Sequence, residues 1–233
     1  MPARLSTLGL VTAATAALFA ATGCGLTDGE TSSTVETYDF TEIKTIDLRG
    51  EAGAVEVVAT AGGVRVTERR EYSGTAPKTS RRTDGGTLFL RDDGCDTQWR
   101  IRKNCETTYR IEAPAGISLK INVDAAPVTI TGITGPLDVT TDVGAINGTG
   151  LAGNTRVRTD VGDVDLRYGA APDSLDATND VGSTTVYLPS TAAYRFDVRV
   201  DVGDTTIDLP NRADANHRIK LTADVGDITV HAA

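Results

Sequence analysis

The tripeptide Asp-Val-Gly returns five times in the C-terminal half of the chain, beginning at Asp142, Asp160, Asp180, Asp201 and Asp224. A degenerate copy, Asp124-Ala125-Ala126, precedes them, and Glu51-Ala52-Gly53 stands as an outlying seventh. From Asp124 onward the intervals are 18, 18, 20, 21 and 23 residues. Self-similarity at such a period marks a repeat architecture and takes precedence over any local motif.

The flanks repeat as well. Before each tripeptide, apolar or Thr residues occupy alternate positions: Leu137, Val139, Thr141 and Val143; Phe196, Val198, Val200 and Val202; Ile219, Leu221, Ala223 and Val225. After it the alternation resumes out of step, at Ile146, at Val164 with Leu166, at Val186 with Leu188, at Ile207 with Leu209 and at Ile228 with Val230. Period-two alternation predicts strands with one buried face. A one-residue slip in a continuous strand would turn that face to solvent. The change of parity therefore predicts a bend at each tripeptide, with Gly144, Gly162, Gly182, Gly203 and Gly226 supplying backbone freedom. Each unit reads as strand, corner, strand, loop, the loops falling at 132–136, 148–153, 169–172, 189–190 and 210–216.

A unit that buries one face of each strand gains stability only by stacking on its neighbours. The expected fold class is all-β: a β-solenoid, a β-helix-like stack of about seven coils, with antiparallel sandwich or meander pairing as the alternative. Gly, Thr and Val are poor helix-interior residues, and beyond the N-terminus no segment has helical periodicity.

Residues 59–115 interrupt the repeat. Val64 with Val66, Leu88 with Leu90, Trp99-Arg100-Ile101-Arg102 and Tyr109-Arg110-Ile111 read as strands, and Asp93-Gly94 and Lys103-Asn104 as turns. Cys95 and Cys105 can close a short loop around the single Trp, Trp99, in an oxidising compartment. The segment is expected to be a disulfide-bearing hairpin or cap that shields one end of the stack. The alternative is a ligand surface of Trp99, Arg100, Arg102 and Lys103, since Trp and Arg favour binding hot spots.

The N-terminus has one basic residue, Arg4, then an apolar run over 8–21, too short to span a bilayer and typical of a secretory signal. It ends in Ala21-Thr22-Gly23-Cys24, which resembles the lipobox of bacterial lipoproteins, where the Cys carries the lipid. With Cys95 and Cys105 paired, Cys24 is the odd cysteine, placed where a lipid would consume it. The alternative is an ordinary cleaved signal and secretion. The expected plan is signal 1–24, polar tether 25–36 and β-repeat domain 37–233, regular from 117. Lipidation at Cys24 places the chain on the outer face of the cytoplasmic membrane.

The net charge is −9, which argues against a nucleic-acid partner. It is uneven: residues 64–110 hold 11 Lys or Arg against 7 Asp or Glu, whereas 117–233 hold 9 against 16 Asp and no Glu. Asp bonds its own backbone in turns, so its excess fits many corners. Carboxylates ~5 Å apart repel by only about 0.8 kcal/mol in water, so the ladder requires no metal. A second column, Asp163, Asp204 and Asp227, is interrupted by Ala145 and Ser183, and the spacing is not that of calcium-binding nonapeptides. His217 and His231 have no nucleophile or metal partner at a recognisable spacing. The expectation is no catalytic residue, no cofactor, no metal and no small-molecule substrate. A carboxylate pair of the glycosidase kind can be drawn anywhere on such a ladder and so carries no information.

Corners such as Gly162-Asp163-Val164 and Gly226-Asp227-Ile228, with Pro114-Ala115-Gly116 before the first regular unit and the paired Cys upstream, resemble the putative-adhesin β-strand-repeat family of bacterial envelopes. The resemblance covers residues 47–230 and implies a β-helical fold and an envelope location, with no catalytic residue to carry over. Members more often have Ser-Gly or Gly-Ser where this chain has Asp-Val. The function expected is a non-enzymatic, lipid-anchored binding, adhesion or scaffold module facing an unidentified envelope polymer or protein. The alternatives are an envelope-stress accessory sensing cationic peptides or antibiotics and, less favoured, a carbohydrate-active β-helix enzyme.

Overall fold

The computed structural model describes residues 31–51, 53–95 and 104–233. The signal segment and Cys24, and Trp99, Arg100, Arg102 and Lys103, lie outside them.

The N-terminal part comprises β1 (Ser32–Phe40), β2 (Thr45–Gly50), β3 (Ala54–Ala59), β4 (Val64–Tyr72), β5 (Thr79–Asp84), β6 (Thr87–Asp92) and β7 (Cys105–Ala113). Two-strand units follow: β8 (Ser118–Val123) with β9 (Val128–Thr131), β10 (Leu137–Val143) with β11 (Ile146–Leu151), and β12 (Thr155–Val161) with β13 (Val164–Tyr168). The last three are β14 (Ser174–Val181) with β15 (Thr184–Leu188), β16 (Tyr194–Val202) with β17 (Thr205–Ile207), and β18 (His217–Val225) with β19 (Ile228–Ala232).

The two strands of each unit lie in different sheets. One sheet has nine strands, ordered β16-β18-β14-β12-β10-β8-β2-β6-β5, and the other ten, ordered β1-β4-β7-β3-β9-β11-β13-β15-β19-β17. Pairing is parallel except for β1 with β4, β4 with β7 and β5 with β6. Both sheets are therefore mixed, and no closed barrel forms among the described residues.

Register turns the sequence alternation into columns of like residues facing the opposite sheet. Leu88, Ile46, Leu119 and Leu137 stand side by side, and so do Leu90, Leu48, Ile121, Val139 and Val157. Across the core, Val55, Val128, Ile146 and Val164 form a facing column. All these side chains are buried. Parallel strands buried against a second sheet gain their stability from this continuous core.

Three expectations need correction. First, the units do not stack in chain order: β2 and β3 sit between β6/β7 and β8/β9, and β18 and β19 sit between β14/β15 and β16/β17. Corner-by-corner alternation specifies which face is buried but not which edge a strand joins. Second, the segment 59–115 is not only a cap. Its β6 and β7 pair in parallel with β2 and β3 and form an eighth two-sheet unit among the described residues. It carries no Asp-Val-Gly because a long connection replaces its corner. Third, residues 32–36, expected in the tether, belong to β1, which begins at Ser32 and pairs with β4. Its polar residues suit an exposed edge strand, which buries little.

At the β1/β5 end, single contacts tie the sheets. Thr79 Oγ1 donates to the buried carboxylate of Glu68 at 2.6 Å, and the Arg81 guanidinium lies 3.4 Å over the Tyr38 ring. Within the ten-stranded sheet, Arg70 bridges Glu68 and Glu36 at 3.3 and 2.6 Å.

Candidate functional site

Every Asp-Val-Gly lies where the chain passes from one sheet to the other, and the parallel register stacks these passages into one edge. Val143 is aligned with Val161, Val161 with Val181, Val181 with Val225, and Val225 with Val202. Asp124 lies one step beyond, its N–H donating to Gly50 O at 3.2 Å and its carbonyl accepting from Val143 N at 2.9 Å. Gly50 pairs with Val123 and Val55 with Val128, so Glu51 and Gly53 are in line with Asp124-Ala125-Ala126.

The glycines are fixed by contact. A Cβ on Gly162 would strike the carbonyl oxygen of Gly144, one on Gly182 that of Gly162, and one on Gly226 that of Gly182. Gly182, Gly203 and Gly226 also have φ near +140°, a conformation that side chains resist. The corner carbonyls of three successive units accept buried side-chain donors. Thr141 Oγ1 donates to Ala126 O at 3.3 Å, Thr159 Oγ1 to Gly144 O at 3.1 Å and Asn179 Nδ2 to Gly162 O at 2.9 Å. The sequence reading missed this polar column because Thr141 passes as one more member of an alternating strand.

The valines are the larger correction. Val143, Val161, Val181, Val202 and Val225 have the parity of a buried face, yet they are 54, 48, 48, 63 and 47 % exposed. Each follows the last inward residue of its strand, where the chain has already begun to turn. They form one apolar row along the edge.

Acid flanks that row. On one side stand Asp142, Asp160, Asp180, Asp224 and Asp201, where Arg158 pairs with Asp160 and Asp180 at 3.3 and 3.2 Å. On the other stand Asp163, Asp227 and Asp204. Asp163 Oδ1 accepts the Ser183 N–H at 2.8 Å and Asp227 Oδ1 the Asp204 N–H at 2.9 Å, bonds that cross from one unit to the next. Among the described residues no group of three or more His, Cys, Asp or Glu is arranged to hold a metal ion.

Cys95 and Cys105 form a disulfide. It lies at the foot of the connection from β6 to β7, the link that stands in for a corner in that unit. The candidate ligand residues Trp99, Arg100, Arg102 and Lys103 fall inside this connection, outside the described residues. His217 is half-buried with Nδ1 2.9 Å from Pro172 O, and His231 Nδ1 is 2.8 Å from Asp208 Oδ2. An open depression is lined by Ala193, Arg212, Asp214, Ala215, Asn216 and His217. No helix among the described residues is long and apolar enough to cross a membrane.

The fold and edge define a class: an all-β repeat protein of two facing sheets with a laddered corner. The chain is similar in fold to a putative cell adhesion protein from Clostridium sporogenes, with TM-score 0.51 and 15% identity over 88% of this chain and 100% of that one. It is likewise similar to a putative adhesin from Bacteroides fragilis, with TM-score 0.51 and 17% identity over 85% and 97%. These likenesses agree with the resemblance to a family of adhesin-like proteins of unknown function. No protein-family profile and no curated protein matches the sequence.

Proposed function

We propose that the protein is an exported, non-enzymatic binding module, a two-sided β-solenoid held at the outer face of the cytoplasmic membrane by a lipid on Cys24. In this capacity it acts as an adhesion or scaffold element toward another envelope component, and the corner edge is its binding face. One observation carries the proposal: five half-exposed valines stand in register on a single edge. An exposed apolar row of that kind is a feature of interaction surfaces. The adhesin descriptions of the two proteins of like fold support it by analogy only.

The test is a set of photo-crosslinking residues placed one at a time along the edge of the full-length chain in cells. Reproducible adducts from the corner positions, and none from the opposite loops, are the expected result. Equal labelling everywhere, or none, would remove the proposal. Intact mass of the N-terminal peptide tests the anchor separately: a diacylglyceryl mass on Cys24 is expected, and an unmodified Cys or a cut elsewhere overturns it.

A second role, an envelope-stress accessory that senses cationic peptides, is favoured by the two aspartate rows beside the valines. Peptide binding that stays unchanged when Asp160 and Asp180 become Asn would sink it.

A further inference from the structure

We infer that the corner edge docks a cationic amphipathic helix running along the stack. The apolar stripe of that helix lies on Val143, Val161, Val181, Val225 and Val202, and its Lys or Arg flanks face the two aspartate rows. The inference rests on the reading of this edge as the binding face and adds the chemistry and shape of the partner.

The apolar requirement comes from exposure. Six large hydrophobic side chains are exposed among the described residues, and five of them are these valines. The turn itself does not need valine, since threonine is as well suited to an exposed extended position. Outward-facing strand positions elsewhere in the repeats are mostly polar, as at Lys120, Asp138, Thr140, Arg156 and Arg158, while the partly covered Val198 and Val200 pack against the core.

The shape comes from spacing. Parallel neighbours are ~4.8 Å apart, so five valines in consecutive units make a row about 19 Å long. Same-face residues of an extended partner recur every ~6.7 Å and would fall between the valines. A helix lying along the row presents one apolar position per turn of ~5.4 Å, so four turns drift from the unit spacing by only about 2.4 Å over the whole row. About 13 helical residues cover the row. Laying an apolar helical stripe on such a surface is a recurrent recognition mode.

The charge comes from the flanks. Among the described residues Arg158 is the one basic partner of the first aspartate row, and it pairs with Asp160 and Asp180. Asp142, Asp201 and Asp224 make no ion pair among the described residues. A second copy of this edge would set acid against acid, and an anionic polymer would be repelled, whereas Lys or Arg on both sides of an apolar stripe is complementary.

The test uses the full chain and a fluorescent 14-residue Leu/Lys peptide with leucines at helical i, i+3, i+4 spacing. Two controls accompany it: a sequence-scrambled isomer, and a version with two D-residues that cannot form a helix. The designed peptide is expected to bind at least tenfold tighter than either control. Val161→Thr with Val181→Thr, which keeps shape and strand preference, is expected to weaken binding at least tenfold with an unchanged circular-dichroism spectrum and melting temperature. Asp160→Asn with Asp180→Asn is expected to weaken it and flatten its salt dependence. Equal affinity for the scrambled isomer, or no loss in the valine variant, overturns the inference. Crosslinks from residue 161 in cells separate the two levels. An adduct mapped to a cationic helical segment supports both. An adduct on a glycan strand or a neutral protein segment overturns the helix and leaves the edge as the binding face. Absence of adducts along the edge removes both.

Discussion

The hydroxyl of Thr159 donates to the carbonyl oxygen of Gly144 at 3.1 Å, linking a strand in one unit to the corner of the unit beside it. Thr159 is fully buried, so water cannot replace the bond. Thr159→Val keeps the shape and removes the donor, leaving a buried carbonyl short of a partner. A loss of roughly 1–3 kcal/mol is expected, read as a lower denaturant midpoint at unchanged slope. A change within error would mean that Gly144 O is satisfied another way.

Glycine at the corners is a matter of space as much as dihedral angle, and two positions separate the effects. Gly182 and Gly62 both have strongly positive φ, 140° and 144°. A Cβ at Gly182 would strike Gly162 O, whereas one at Gly62 would meet nothing. Gly62→Ala then costs only backbone strain, of order 1–3 kcal/mol. Gly182→Ala adds a clash with backbone that cannot move without parting two units, and is expected to cost clearly more or to abolish soluble expression. Equal costs in thermal melts would refute the spacing argument.

These contrasts show what the sequence could and could not say. The buried columns were legible because period-two alternation reports on a face, as at Leu137 and Val139. Solvent exposure at Val143 was not, since parity cannot tell the last buried residue from the first one past the bend. The polar column was hidden for a related reason: Asn179 occupies a position that reads as Thr in two units and Ala in another, and only register shows that its amide reaches Gly162 O. Stacking order was invisible, because nothing in β18 distinguishes the edge of β14 from that of β16. The unit made by β6 and β7 went unseen for want of a tripeptide in the connection between them.

Two buried carboxylates are expected to give opposite responses to pH. Burial pushes the Asp92 carboxyl above its ordinary value, against the hydrogen bond from Gly94 N at 3.0 Å. The folded chain therefore holds that proton at a pH where the unfolded chain has lost it. Stability falls as pH rises from the unfolded value, near 3.9, through the folded one. At Asp47 burial also acts upward, but hydrogen bonds and charge from Arg49 and Arg91 outweigh it and hold the carboxyl low. Its contribution is present above the unfolded value and lost as pH drops through the folded one. Asp92→Asn should therefore be more stable than the parent at pH 7, with the advantage shrinking toward pH 3. An advantage that does not vary across this range in urea titrations would contradict the assignment.

The exposed edge of β16 has a guard made from a side chain. Asn211 Oδ1 accepts the Phe196 N–H at 3.1 Å and its Nδ2 donates to Phe196 O at 3.3 Å, so one amide imitates the pairing of an absent strand. Next to it, Arg212 N donates to Tyr194 O at 2.8 Å. Unpaired strand edges recruit other chains, and β16 ends the nine-stranded sheet with Val198 and Val200 only partly covered. Asn211→Ala removes two partly solvated hydrogen bonds, so stability should drop by only ~1 kcal/mol. Self-association should rise much more, because the freed Phe196 groups extend the open edge toward Tyr194. Light scattering at 37 °C is expected to show earlier aggregation for Asn211→Ala than for Arg158→Ala, a surface change of similar small cost on β12, an interior strand of the same sheet. If the two variants aggregate alike, loss of stability rather than loss of the guard controls association, and the amide of Asn211 has no protective role.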